Sequence, residues 1–147
     1  RRVRRPYPPR TRRPSGLRGP IAKEAIALGP DIASGACQVF DVVASELKRF
    51  RDQFDLSYLG DLDDGKAESL AFMFSVKGEH TISSADAIVF RVLGNLGEGD
   101  RGLSLEEILQ KIGRGRGGLP WQYTKAFREN YTGIGQQDMI QGRGRRT

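Results

Sequence analysis

The stretch ESLAFMFSVK, residues 68–77, decides how this 147-residue chain is read. On an extended backbone Leu70, Phe72, Phe74 and Val76 fall on one face and Ala71, Met73, Ser75 and Lys77 on the other, a period of two. ADAIVFRVL (85–93) repeats the pattern, with Ile88, Phe90 and Val92 aligned. Gly78 opens a turn region between them, so an antiparallel hairpin is expected, connected somewhere in 78–84. An isolated hairpin is marginal in water, and the sequence offers no third strand. Two hairpins meeting edge to edge across a dimer would make a four-stranded sheet. Phe72, Phe74, Phe90 and Val92 are the residues expected to build it, as core beneath a helix and as dimer interface. The expected class is α+β: a small helical domain around the hairpin, with disordered basic arms at both ends.

The segments on either side supply the helices. IAKEAIAL (21–28) reads as a short helix stopped by Gly29-Pro30. Ile32, Ala36, Val39, Phe40, Val43, Leu47, Phe50 and Phe54 then recur at three- and four-residue steps, which predicts one amphipathic helix from Pro30 to about Phe54. DLSYLGDLDDGK (55–66) reads as an acidic loop. Its Asp61, Asp63, Asp64 and Gly65 do not follow the order of a calcium-binding EF-hand. GNLGEGDRGL (94–103) is a glycine-rich loop. Ser104 and Glu107 have the spacing of a capping box, opening a short helix that Gly113 ends. Residues 113–119 read as a flexible basic linker. Pro120 suits the first turn of a helix over 121–131, anchored by Trp121, Phe127 and Tyr131. The domain boundaries expected from this pass are 1–20 for an arm, 21–131 for a dimerisation and assembly domain, and 132–147 for a Gly/Arg tail.

Composition narrows the functional classes. Hydrophobic residues are 37% of the chain, enough for one modest core. No apolar run approaches the roughly 18 residues of a membrane span, and no hydrophobic stretch follows the basic N-terminus, so neither direct membrane insertion nor a secretory signal is expected. The absence of an initiator methionine suggests a processed or truncated start. Cys37 cannot form an internal disulfide, and with the single His80 it offers no zinc spacing. Cys37 is expected as a structural residue in the first turns of the long helix, and His80 as a surface-turn histidine. Neither glycine-rich segment ends as a Walker loop or opens a helix as a dinucleotide fingerprint. Glu106 and Glu107 are adjacent on a helix, so they diverge by about 100° and cannot act as a carboxylate pair. No catalytic residue, metal site, cofactor or small-molecule substrate is expected.

Charge is the informative property. The net value of +6 conceals a segregation: residues 1–23 carry eight arginines and Lys23 with no acid, residues 24–113 carry a charge of −8, and residues 114–147 carry +5. The first twenty residues, RRVRRPYPPRTRRPSGLRGP, include five prolines. Each lacks an N–H and disfavours α at its predecessor, which predicts a disordered, partly polyproline-II arm. Arg1, Arg2, Arg4, Arg5, Arg10, Arg12, Arg13 and Arg18 can each meet a phosphate and release counterions, and Tyr7 can stack on an unpaired base. Arg114, Arg116, Arg143, Arg145 and Arg146 form a secondary set among glycines. No base-reading module is visible, so binding to single-stranded RNA with little sequence preference is expected. The acidic middle also suits self-association, since one protomer's arm could lie across a neighbour's acidic surface.

The arm RRVRRPYPPRTRR resembles the Arg/Pro-rich RNA-binding arm of the nucleocapsid proteins of okaviruses, the roniviruses of prawns. The chain's size, the arm preceding a compact domain and the lack of other cysteines fit that layout. The expected order of helix, hairpin and helix is also similar to the dimerisation domain of other nidovirus nucleocapsids, above all the arterivirus one. The resemblance implies a viral nucleocapsid protein that packages single-stranded genomic RNA and self-assembles, through homodimers, into a helical ribonucleoprotein. Its location would be the virion and the host cytoplasm. Two alternatives are a ribosomal or other ribonucleoprotein structural protein with an RNA-threading arm, and a protein-interaction module whose arm is an import signal.

Overall fold

The computed structural model describes residues 26–76 and 80–147. The chain divides after Gln38. In the first unit the described helix is α1 (Gly29–Ala33), five residues with Pro30 in its first turn. Gly35, at a φ of +79°, ends it, and Cys37 is exposed in the irregular stretch that follows. Two expectations are corrected here. Gly29-Pro30 begins a helix instead of stopping one, because proline's missing N–H costs nothing in a first turn. The long helix over 30–54 is broken, leaving Cys37 outside any helix and Val39 and Val43 exposed. Residues 21–25 of the first expected helix lie outside the described residues.

The second unit, Val39–Thr147, is built of helices: α2 (Ala44–Arg51), α3 (Leu56–Leu59), α4 (Asp64–Ser75), α5 (Ala87–Asn95), α6 (Leu105–Lys111) and α7 (Lys125–Ile140). Two strands of two residues each, β1 (Ile82–Ser83) and β2 (Gly102–Leu103), pair in parallel with Ile82 opposite Gly102. The acidic stretch 55–66 is mostly helical. Asp55 caps α3 by accepting from the Ser57 N–H, and Asp63 caps α4 by accepting from the Lys66 N–H.

The antiparallel hairpin is absent, and with it the four-stranded dimer sheet. Both segments expected as strands are helices. Residues 70–74 are apolar at every position, so a period of two and a period of 3.6 fit them equally well. The Asp63 cap and the alanines at 67 and 71 decide for a helix, which buries Ala67, Leu70, Ala71 and Met73. In α5 Ile88, Val89, Phe90, Val92 and Leu93 are all buried. A helix buried at this many positions is a core helix, and burial overrides the β preference of its branched side chains.

α5 lies against α7, the most extensive helix pair in the fold. Two glycines allow it. A Cβ on Gly94 would stand 2.1 Å from the Thr132 carbonyl oxygen, and one on Gly135 2.0 Å from that of Arg91. The backbones therefore touch directly. Around this pair Phe50, Phe54, Tyr58 and Leu62 keep a four-residue step through α2, α3 and the turns beside them, and all four are buried. The Phe54 and Tyr58 rings stack at 5.8 Å. α6 opens with the expected capping box: the Ser104 hydroxyl accepts from the Glu107 N–H and the Glu107 carboxylate accepts from the Ser104 N–H. Gly113, at a φ of +70°, follows its end. Beyond Pro120, a 3₁₀ turn over Trp121–Tyr123 precedes α7, which Thr124 caps and which runs nine residues past the expected limit of 131.

Candidate nucleic-acid interface

The described cations separate into those used by the fold and those left over. Arg91, the one charge within α5, reaches Asp138 of α7 at 2.6 Å. The Tyr58 hydroxyl donates to the same carboxylate at 2.9 Å, and Arg143 pairs with its other oxygen at 2.9 Å. Burial opposes the charge on Asp138, but the bonds from Arg91 and Tyr58 outweigh it and hold the carboxyl below its ordinary range. Burial and the adjacent Asp138 push the Tyr58 hydroxyl up to about 12. Asn95 donates to the Arg143 carbonyl at 3.0 Å. Among the described residues, three buried polar atoms, Arg91 Nε, Asn95 Oδ1 and Thr132 Oγ1, have no hydrogen-bond partner.

A second pair joins α6 to α7. Arg128 grips Glu107 with two hydrogen bonds, 2.7 and 2.8 Å, while Ser104 donates to the same carboxylate. Burial disfavours the charge, yet these bonds carry the Glu107 carboxyl down to about 2. Both networks neutralise charge between elements of the fold.

The C-terminal residues are held differently from the expectation of an unstructured tail. Gly144 accepts from the Asp55 N–H at 3.1 Å and donates to the Asp55 carboxylate at 3.0 Å. Arg145 forms an antiparallel bridge with Phe54, and the Arg146 N–H donates to the Gln53 carbonyl. Gly144, at a φ of +84°, presses on the Tyr58 ring, where an added Cβ would come within 2.3 Å. The backbone is pinned while the side chains of Arg145 and Arg146 remain exposed.

Of the arginines singled out in the sequence, those at 1–18 and Tyr7 lie outside the described residues. Arg114 and Arg116 stand exposed in the irregular stretch after α6. Among the described residues neither they nor Arg145 and Arg146 form an ion pair, whereas Arg143 is committed to Asp138. The residues proposed for a dimer sheet are reassigned. Phe90 and Val92 are fully buried, so no partner can reach them without unfolding the domain. Phe72 stacks on Phe40 at 4.0 Å, and Phe74 packs on Phe50 and under the Arg101 guanidinium.

Residues of other chemistry are scattered. His80 is exposed, its ring edge-on to Phe72, and its carbonyl accepts from Arg101. Among the described residues no group of three or more metal-ligating side chains occurs, and no helix is long and apolar enough to cross a membrane. Sequence reasoning missed Arg91, Asp138 and Tyr58. The signal was present: Arg91 is the lone charge in an apolar run, and Asp138 one of two acids in the basic residues 114–147. Compared with family models, with curated proteins and with solved structures, the chain matches none of them.

Proposed function

We propose that this chain is a nucleocapsid-type protein that binds single-stranded RNA through its basic termini, with little sequence preference, and assembles with copies of itself. The observation that carries the reading is the charge segregation: +9 over residues 1–23 against −8 over residues 24–113. A basic extension attracts a polyanion, whereas the second unit, Val39–Thr147, carries 15 basic and 16 acidic side chains and is nearly neutral, so binding concentrates at the N-terminal arm. The exposed Arg114, Arg116, Arg145 and Arg146, without acidic partners among the described residues, supply further phosphate contacts. The likeness of the arm to okavirus nucleocapsids supports packaging of genomic RNA in a virion. The likeness to nidovirus dimerisation domains rested on a hairpin that the fold lacks, and it contributes nothing.

Deleting residues 1–19 and measuring retention of RNA on filters at ~150 mM salt tests the assignment. The truncated protein is expected to lose retention while keeping its helical circular dichroism. Undiminished affinity would refute the role of the arm. A preference of several orders of magnitude for one folded RNA over an unrelated strand of equal length would favour a ribosomal-type protein instead.

A further inference from the structure

An aromatic groove opens on the second unit between the start of α4 and the segment that carries β1. Its volume is about 580 Å³, inside the range of roughly 300–1,000 Å³ common to ligand clefts. Its apolar wall includes the stacked rings of Phe40 and Phe72, with His80 edge-on to Phe72. Phe40 is 41% exposed, so a ring face is left for an occupant. The rim is charged. Lys66 sits between Asp63, at 2.8 Å, and Asp86, at 3.7 Å. One cation against two carboxylates leaves the rim negative, and exposed Asp61, on an adjoining hollow shared with Lys66 and Asp86, extends that sign.

We propose that this groove binds the Arg/Pro-rich segment, residues 1–20, of a second copy of the chain. A phosphate-bearing ligand meets the wrong sign here. A cationic, proline-rich segment meets the right one. Prolines stack on aromatic walls at little entropic cost because their backbone is already restricted, which is the physical basis of polyproline recognition in aromatic grooves. Pro6, Pro8 and Pro9 surround Tyr7, and Arg4, Arg5 and Arg10 flank them, so apolar rings and positive charge alternate as the groove and its rim do. The segment and the groove are different surfaces of one chain. Docking between copies joins an arm to a groove, so it closes as an arm-exchanged dimer or propagates head-to-tail. The proposal deepens the self-assembly part of the reading above and rests on it, and it stands without RNA binding.

Sedimentation of the full chain at ~150 mM salt, over a range of protein concentrations and without RNA, tests it. Wild type is expected to self-associate. Asp61→Lys with Asp86→Lys, both at exposed positions, should raise the concentration needed by about tenfold. Replacing Pro6, Pro8 and Pro9 together with alanine should do the same although the charge is unchanged. The amide resonances of Phe72, Ile82 and Asp86 should shift on dilution of wild type and stay fixed in both variants, with circular dichroism unchanged. A chain that stays monomeric, association unaffected by either variant, or movement of those resonances by oligouridine but not by protein concentration would each overturn the proposal. Because RNA retention is measured separately, its loss or survival leaves this result unaltered.

Discussion

Gly135→Ala places a methyl group where α7 meets α5, and the structure fixes how much room it has. The new carbon would lie 2.0 Å from the Arg91 carbonyl oxygen, 2.8 Å from its carbon and 2.9 Å from the Asn95 nitrogen. Ordinary contact begins near 3.4 Å, so the helices must part by about 1.4 Å. The obstacle is backbone, which no rotamer change can move aside. Overpacking of a close-packed core costs about 1–3 kcal/mol, and a backbone clash belongs at the upper end. Alanine's helix preference over glycine returns about 1 kcal/mol. The net expectation is a loss of about 2 kcal/mol, read as a fall in Tm of about 8 °C for a domain of this size. Gly133→Ala, two residues away on the same helix, is the control. A Cβ there meets nothing within 4 Å, so only the propensity gain remains and the variant should be stabilised by up to about 1 kcal/mol. Urea unfolding followed by circular dichroism measures both. Gly135→Ala within about 0.5 kcal/mol of wild type, or Gly133→Ala as damaging as Gly135→Ala, would refute direct backbone contact between α5 and α7.

Two further outcomes follow from the polar anchors. Glu107 has a folded pKa near 2 against an ordinary 4.5, so its contribution is complete above pH 4.5 and is lost as pH falls from there towards 2. That difference corresponds to about 3 kcal/mol, and Glu107→Gln should flatten the acid limb of the stability profile; an unchanged limb would show that the Arg128 pair does not govern it. Gly144→Ala should cost about 1–3 kcal/mol, because the residue combines a left-handed backbone with contact on the Tyr58 ring. Limited proteolysis would then cut the C-terminal residues faster than in wild type, and equal rates would mean that the tail is not held by that contact.

Some local signals in the sequence translated into structure, whereas the Gly29-Pro30 stop and the periodicity over 30–54 did not. The capping box at Ser104 and Glu107 needs only a three-residue spacing, and it forms as read. The core residues Phe50, Phe54, Leu70, Phe90 and Val92 were legible as apolar positions. Their secondary structure was not, because uninterrupted apolar runs carry no period to distinguish strand from helix. Gly94 was read as the start of a loop, whereas it continues α5 and admits α7; nothing near it in sequence announces Thr132 or Gln136. The same holds for the tail, which Asp55 secures across 89 residues. Charge segregation, in contrast, needs no fold to be seen.

The most direct measurement is the affinity of the full chain for oligouridine as a function of salt. If about five arm arginines neutralise phosphates, the slope of log K against log salt is about −3.5, and affinity falls about 100-fold from ~50 to ~200 mM. The chain lacking residues 1–19 should bind weakly with a slope of no more than about −1 to −2. Equal slopes for the two proteins, or a full-length slope near zero, would contradict recognition of RNA by the arm.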